Sequence, residues 1–370
     1  MSITTFKEES TRLTSDLINF LLLHCVKADT SDVTIQSGSK VKAEIFGKLY
    51  NMTKRVISHS EVGEILNFLY GPNGTTQILS GKDIDTQYEF KQNRVEKYRF
   101  RVNATGCLVD GHDGIQITFR TIPTSPPLMD DLGIEADIRD NFTPESGIIY
   151  VTGSTGSGKS TLLASMIRNI IEDENGHRKV LTYEAPIEFV YDDVDCPTSI
   201  VSQSEIPRHL PSFQAGIRNA LRRKPRLILV GEARDAETIS ASLEAALTGH
   251  PVYTTLHTNG VPETIRRLVN SFDYEEREGK TMDIIETLRL CISQKLVPST
   301  DGKRVALREY LVINDKIRDE LLDTNFKEIT DKARKVMNKY GQTMAKAATI
   351  AFENKQISEK TFNLITKKGE

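Results

Sequence analysis

Over the first 120 residues, apolar and polar positions alternate with two different periods. "SDVTIQSG" (31–38) and "KVKAEIFGKL" (40–49) alternate with a period of two, which predicts paired strands around Gly38 and Ser39. "SHSEVGEILNFLYG" switches to the helical period: Val62, Ile65, Leu66 and Leu69 make one apolar face, Ser58 and Glu61 suit a capping box, and Gly71 with Pro72 ends the helix. In "EKYRFRVNATG", Tyr98, Phe100 and Val102 alternate with Lys97, Arg99 and Arg101, and "GIQITFRTI" follows a turn at Asp113 and Gly114. A small α+β domain over residues 1–120 is the expectation.

The rhythm breaks in "TIPTSPPLMDDLGI", where Pro123, Pro126 and Pro127 predict a linker over 121–146. From Gly147 the strands become wholly apolar: "GIIYVTG", "KVLTYE", "RLILVGE" and "PVYTTLHT". Strands that do not alternate are buried on both faces, so they predict a parallel sheet sandwiched by helices over 147–314. Residues 315–370 are more polar and are expected to be helical.

The strand "IIYV" runs into "GSTGSGKS", which matches GxxxxGK[ST] at every fixed position and opens a helix with Leu162, Leu163, Met166, Ile167, Ile170 and Ile171 on its apolar face. In such a loop Gly153, Gly156 and Gly158 let the backbone close around phosphate, while the N–H groups of Ser154, Thr155, Ser157 and the helix start point at the anion. Lys159 is then expected at the β- and γ-phosphates of ATP, Ser160 on Mg²⁺, and Thr161 at the α-phosphate. The later strand "RLILVGEARD" ends in Gly231 and Glu232 rather than in the usual aspartate, so Glu232 is the expected acid for Mg²⁺, through water. "TYEAPIEF" supplies two more acids, Glu184 and Glu188, either of which suits a base for the attacking water. His250 and His257 flank the strand "PVYTTL" and suit a phosphate sensor better than a metal site, because no third ligand has matching spacing. "GIRNALRRKPR" carries Arg218, Arg222, Arg223, Lys224 and Arg226 without an acid, which is read as a solvated face, an arginine acting on a neighbouring subunit, or a nucleic-acid patch. The absence of an interleaved aromatic disfavours nucleic acid.

Composition narrows the picture only slightly. With 48 basic and 51 acidic residues the net charge is −3, so the whole chain is neither a polycation nor an acidic tail. The cysteines Cys25, Cys107, Cys196 and Cys291 are scattered without a CxxC pair, which fits a reducing compartment. No apolar run reaches membrane-spanning length, and the residues after Met1 lack the basic start of a leader, so a soluble protein is expected.

In this order, "GSTGSGKST", "TYEAPIEF", "LILVGEARDAETI" and "TGHPVYTTLHTN" resemble the Walker A, Asp box, Walker B and His box of the secretion ATPases, specifically the PilT-like branch. With "GKDIDTQYEF", "VSQSEIPRHLP" and "NALRRKPRLI" the likeness is greatest to the ATPases of Dot/Icm type IVB secretion systems. The resemblance implies a RecA-like P-loop NTPase motor with a PAS-like N-terminal domain and a helical C-terminal region. It also implies a homohexamer in the cytoplasm, recruited to the inner membrane by membrane-associated components of the secretion machine, with no direct contact to nucleic acid. By position, Glu188 matches the family's catalytic glutamate, Glu232 its Walker B acid, and His257 and His250 its His-box pair. Glu184 is left to support magnesium or water. Arg222 falls where such enzymes place a trans arginine, and Arg99, Arg101 and Arg120 match N-terminal arginines that approach bound nucleotide. Two departures stand out: Ala185 replaces the aspartate that follows the first Asp-box glutamate in the PilT pattern, and "NDKIRDELL" only loosely echoes the retraction motif of the pilus enzymes. The function expected is ATP-driven assembly of, or export through, a type IV secretion machine. The alternatives are a conjugative or pilus-retraction ATPase and, from another class, a nucleotide-gated scaffold with slow turnover.

Overall fold

The computed structural model describes residues 5–6, 12–28, 30–45, 48–93, 96–122 and 125–367. The start after Met1, Pro123 of the expected linker, and Phe46 and Gly47 of the second predicted strand lie outside the described residues. The chain forms two compact units, residues 1–124 and 125–370.

The first unit is an antiparallel sheet of β1 (Asp32–Gln36), β2 (Lys42–Ile45), β3 (Lys48–Asn51), β4 (Ile84–Lys91), β5 (Lys97–Val109) and β6 (His112–Ile122), in the order β3-β2-β1-β6-β5-β4. The helices α1 (Ser15–Val26), α2 (His59–Tyr70) and α3 (Gly74–Leu79) complete this PAS-like domain. Phe100, Val102, Phe119, Ile117, Val33 and Ile35 make one sheet face largely apolar and share a core with Leu21, Leu22, Val62 and Leu66 of the helices. The capping box forms as the sequence predicts, with Ser58 accepting from the Glu61 N–H and the Glu61 carboxylate accepting from the Ser58 N–H.

The second unit begins earlier than the sequence suggests. A 3-10 turn at Asp130–Leu132 and α4 (Ala136–Asn141) fall inside the expected linker. Met129, Ile134, Ile138 and Phe142 are buried in the same cluster as Ile149 and Val151, so this stretch is part of the motor's core rather than a spacer. The motor's sheet contains β7 (Gly147–Thr152), β8 (Lys179–Glu184), β9 (Ile200–Glu205), β10 (Leu227–Val230), β11 (Pro251–Leu256), β12 (Leu288–Pro298) and β13 (Arg304–Val312), in the order β13-β12-β7-β11-β10-β8-β9. All pairings are parallel except that of the edge strand β13. β7, β10 and β11 are buried at every position, as their unbroken apolar runs require. Around them lie α5 (Lys159–Glu172), α6 (Phe213–Leu221), α7 (Ala236–Leu247), α8 (Val261–Asn270) and α9 (Arg277–Thr287). The insertion of β11 between the P-loop strand β7 and β10 is the RecA-like arrangement, and it aims the ends of β7, β11, β10 and β8 into one crevice.

Residues beyond β13 are helical: α10 (Asp315–Leu322), α11 (Ile329–Tyr340), α12 (Met344–Glu353) and α13 (Glu359–Thr366). Ile329, Ala333, Val336 and Met337 of α11 are buried in the same core as Ile265 and Leu268 of α8, and one side chain adds a polar link. The Glu309 carboxylate on β13 accepts from the Val261 N–H (2.7 Å) at the start of α8 and from the Met344 N–H (3.3 Å) at the start of α12. Among the described residues no helix is long and apolar enough to cross a membrane.

Candidate active site

Six residues separate the end of β7 from the start of its helix, and their geometry is set by glycine. Gly153, Gly156 and Gly158 take φ values of +143°, +75° and +84°. A Cβ at Gly158 would lie 2.9 Å from Gln294 Nε2, and one at Gly153 would meet Ser157 Oγ at 2.5 Å, so the loop has neither the dihedral freedom nor the room for a side chain at these points. Ser154, Thr155 and Gly156 form the exposed tip, whereas Ser157 and Lys159 are buried. The hydroxyl of Ser157 is enclosed without a hydrogen-bond partner.

Lys159 Nζ donates to the carbonyls of Gly153 (2.9 Å) and Ser154 (3.0 Å). Both partners are neutral, so the full positive charge is available to an anion seated in the loop. Burial pulls the Lys159 pKa below its ordinary value, and the charges of Glu188 and Glu232 push it back up. The structure therefore brings Lys159, Glu188 and Glu232 into one electrostatic neighbourhood, although they come from three different strand ends.

Beneath the loop lies a brace that no motif announces. Gln294 Nε2 on β12 donates to the Ser157 carbonyl (2.6 Å), and its Oε1 accepts from Arg308 Nε on β13 (2.8 Å). Arg308 is 2% exposed, the largest of the fully buried side chains. Its guanidinium also reaches the carbonyls of Leu132 (3.0 Å) and Gly133 (3.1 Å) and the Glu135 carboxylate (3.1 Å). A buried arginine is tolerated because nearly every donor is matched, one of them by a charge. The same residues border a cavity of about 750 Å³ that opens beside Gly158 and Thr161 and is walled by Leu132, Leu296, Leu307 and Ile350.

Glu232 follows β10 through Gly231, where an added Cβ would meet the Tyr183 carbonyl at 3.2 Å and Glu184 Cα at 3.3 Å. His257 follows β11, and its Nε2 lies 3.7 Å from Glu232 Oε1 with both side chains partly open to solvent. The turn after His257 is tied to the P-loop strand by hydroxyls: Thr258 Oγ1 is 2.6 Å from Thr264 Oγ1, which also lies 3.4 Å from Thr152 Oγ1. Asp235, the other acid of "GEARD", caps α7 by accepting from the Thr238 N–H (2.8 Å).

The two acids of the Asp box separate. Glu188 is half-buried and faces the charge of Lys159. The Glu184 carboxyl is enclosed; its Oε1 accepts from Thr182 Oγ1 (2.6 Å) and Gln203 Nε2 (3.2 Å), and the carboxylate also accepts from the backbone N–H of Glu188. Burial raises its pKa from 4.5 to about 7 despite those bonds. Ser160 and Thr161 follow Lys159 at the start of α5, partly open to solvent.

Within the second unit, the structure does not gather His250 and Arg222 there. His250 precedes β11, its Nδ1 near the Ala245 carbonyl (3.2 Å), at the amino-end edge of the sheet. It is about 20 Å from His257 along the strand. Arg222 caps the end of α6 before β10, exposed on that same amino-end edge. Arg223 turns inward to Ser202 Oγ (3.0 Å). In the first unit, Arg99 is buried and bonds Gln87 and Glu89, Arg101 forms a two-pronged pair with Asp85 (2.5 and 3.1 Å), and Arg120 pairs with Asp32 (2.8 Å). All three are engaged by cross-strand partners within their own sheet.

Residues 85–359 match the family described as Type II/IV secretion system protein. The chain belongs to that family. As a member with an intact P-loop, it is an ATPase that binds nucleotide. Among solved structures, the Legionella pneumophila ATPase DotB is 57% identical, with a TM-score of 0.87 over 99% of this chain and 100% of that one. The pilus retraction motor PilT, solved with bound ADP, is 28% identical with a TM-score of 0.80 over 92% of this chain and 94% of its own. The type IV pilus retraction ATPase PilT of Pseudomonas aeruginosa is 34% identical over 302 residues, 82% of this chain and 84% of that protein. The secretion ATPase family thus has the same two-unit α/β architecture with a helical C-terminal region.

Proposed function

We propose that this chain hydrolyses Mg²⁺-ATP in the crevice formed by its P-loop, Asp box, Walker B and His box, and that the resulting ring motions drive assembly of, or export through, a type IV secretion machine. One observation carries the reading of the site: the buried ammonium of Lys159 shares an electrostatic neighbourhood with Glu188 and Glu232. Lys159 exchanges its carbonyl partners for the β- and γ-phosphates. The loop N–H groups hold the phosphate oxygens, and the cavity beside Thr161 takes the base and ribose.

Glu188 orients the attacking water and accepts its proton; Glu184, enclosed and bonded to three donors of its own surroundings, does not. The donor set fits magnesium rather than a transition metal. It offers one hydroxyl, Ser160, and one carboxylate, Glu232, and among the described residues no group of three or more His, Cys, Asp or Glu converges. When bound, Mg²⁺ would neutralise charge on the β- and γ-phosphate oxygens. His257, 3.7 Å from Glu232, registers the γ-phosphate by gaining or losing a hydrogen bond.

Arg222 and His250, on the opposite edge of the sheet, serve a neighbouring subunit if they serve any site. That fits a homohexamer, and the 57% identity to DotB favours a machine at the cytoplasmic face of a bacterial inner membrane. The test is steady-state ATPase activity of Lys159→Ala, Glu188→Gln and Glu232→Gln. Near wild-type turnover in Glu188→Gln removes the assignment of the base.

A further inference from the structure

We propose that Gln203, together with Glu184, is the positioning device that holds Glu188 in place for catalysis, a role that rests on the reading of Glu188 as the base. Residues 185–191, which carry Glu188 from the end of β8, form neither helix nor strand. Their backbone groups therefore need partners from outside the segment. Gln203, on the edge strand β9 and directly opposite Thr182 of β8, provides them.

Its amide makes three bonds. Nε2 donates to the Phe189 carbonyl (2.8 Å) and to Glu184 Oε1 (3.2 Å), while Oε1 accepts from the Tyr191 N–H (3.2 Å). The Glu184 carboxylate in turn accepts from the Glu188 N–H. The backbone is thus held at the Glu188 N–H by Glu184 and, just beyond Glu188, at the Phe189 carbonyl and the Tyr191 N–H by Gln203. A base must sit within a few tenths of an ångström of its working position, and a displacement of about 1 Å costs on the order of 10²-fold in rate. Gln203 reaches neither the P-loop nor Lys159 through its bonds, so its effect on nucleotide binding is separate from its effect on turnover.

The experiment compares the full-length chain with Gln203→Leu, Glu188→Gln and the double variant, measuring kcat, KM for Mg²⁺-ATP and single-turnover hydrolysis under excess enzyme. Gln203→Leu is expected to lower kcat by about 10- to 100-fold with KM within about threefold of wild type. The double variant is expected to be no slower than Glu188→Gln alone, because Gln203 acts only through that carboxylate. A Gln203→Leu kcat near wild type beside an inactive Glu188→Gln overturns the proposal, and so do losses that multiply in the double variant. An active Glu188→Gln overturns the reading of the base itself and the proposal with it. Should Gln203→Leu fail to fold, Gln203→Glu keeps the acceptor for Tyr191 and removes both donated bonds, and the same outcomes apply.

Discussion

Replacing Glu184 by glutamine should stabilise this protein above neutral pH. The enclosed carboxyl has its pKa raised from 4.5 to about 7 by burial. In the folded state it therefore holds its proton more tightly than in the unfolded chain. The stability contributed by that proton is fully present below pH 4.5 and is lost as pH rises through about 7. The gap corresponds to about 3 kcal/mol lost by the wild type over this window. Glutamine is neutral throughout and keeps an oxygen for Thr182 and Gln203, but its NH₂ group leaves one former acceptor position unmatched, at about 1 kcal/mol. The expected net gain for Glu184→Gln at pH 8 is about 2 kcal/mol, or roughly 4–8 °C in Tm for a unit of this size, vanishing near pH 5. Thermal unfolding of both proteins at pH 5, 6, 7 and 8 reads it directly. A stability difference that does not change with pH would refute the reasoning, since it would mean that Glu184 is charged in both states across the range.

Other expectations follow from the same contacts. Glu184→Gln should lose less than tenfold in kcat whereas Glu188→Gln loses nearly all turnover but still binds nucleotide; equal losses in steady-state assays would return Glu184 to the chemistry. Gly158→Ala places a Cβ 2.9 Å from Gln294 Nε2 at φ +84°, so it should abolish binding of a fluorescent ATP analogue while the first unit, followed by hydrogen exchange, stays folded. Arg308→Met leaves Gln294 and the Glu135 carboxylate without their buried partner, an effect of about 3–5 kcal/mol to be read as a fall in Tm, with weaker nucleotide binding as the P-loop floor loosens.

The features legible in the sequence were those written locally. The P-loop, the buried strands β7, β10 and β11, and the Ser58–Glu61 cap depend on residues a few positions apart, and each formed where the pattern placed it. The strand β9 was not legible: it is an edge strand, half-buried over "VSQS" with Ile200 exposed, and its polar residues carry no apolar rhythm. With it went Gln203, and hence the means of telling Glu184 from Glu188, a distinction made by a strand about 20 residues away. The prolines at 126 and 127 masked the apolar spacing of Met129, Ile134, Ile138 and Phe142, which places that stretch in the motor's core. Gln294 and Arg308 belong to no motif at all, and only pairing of β12 with β13 brings them under the loop.

Glu309 makes the carboxyl-terminal helices hard to regard as an appendage. Because one carboxylate caps both α8 and α12, a pull on the helices after Met344 is transmitted to the backbone at Val261, four residues past His257. The tail is thus coupled to α8 through β13 as well as through the packing of α11 in the same core. A partner that grips it can act on the histidine side of the crevice from a distance, and a chain cut short before Met344 leaves a half-buried carboxylate with half of its partners gone.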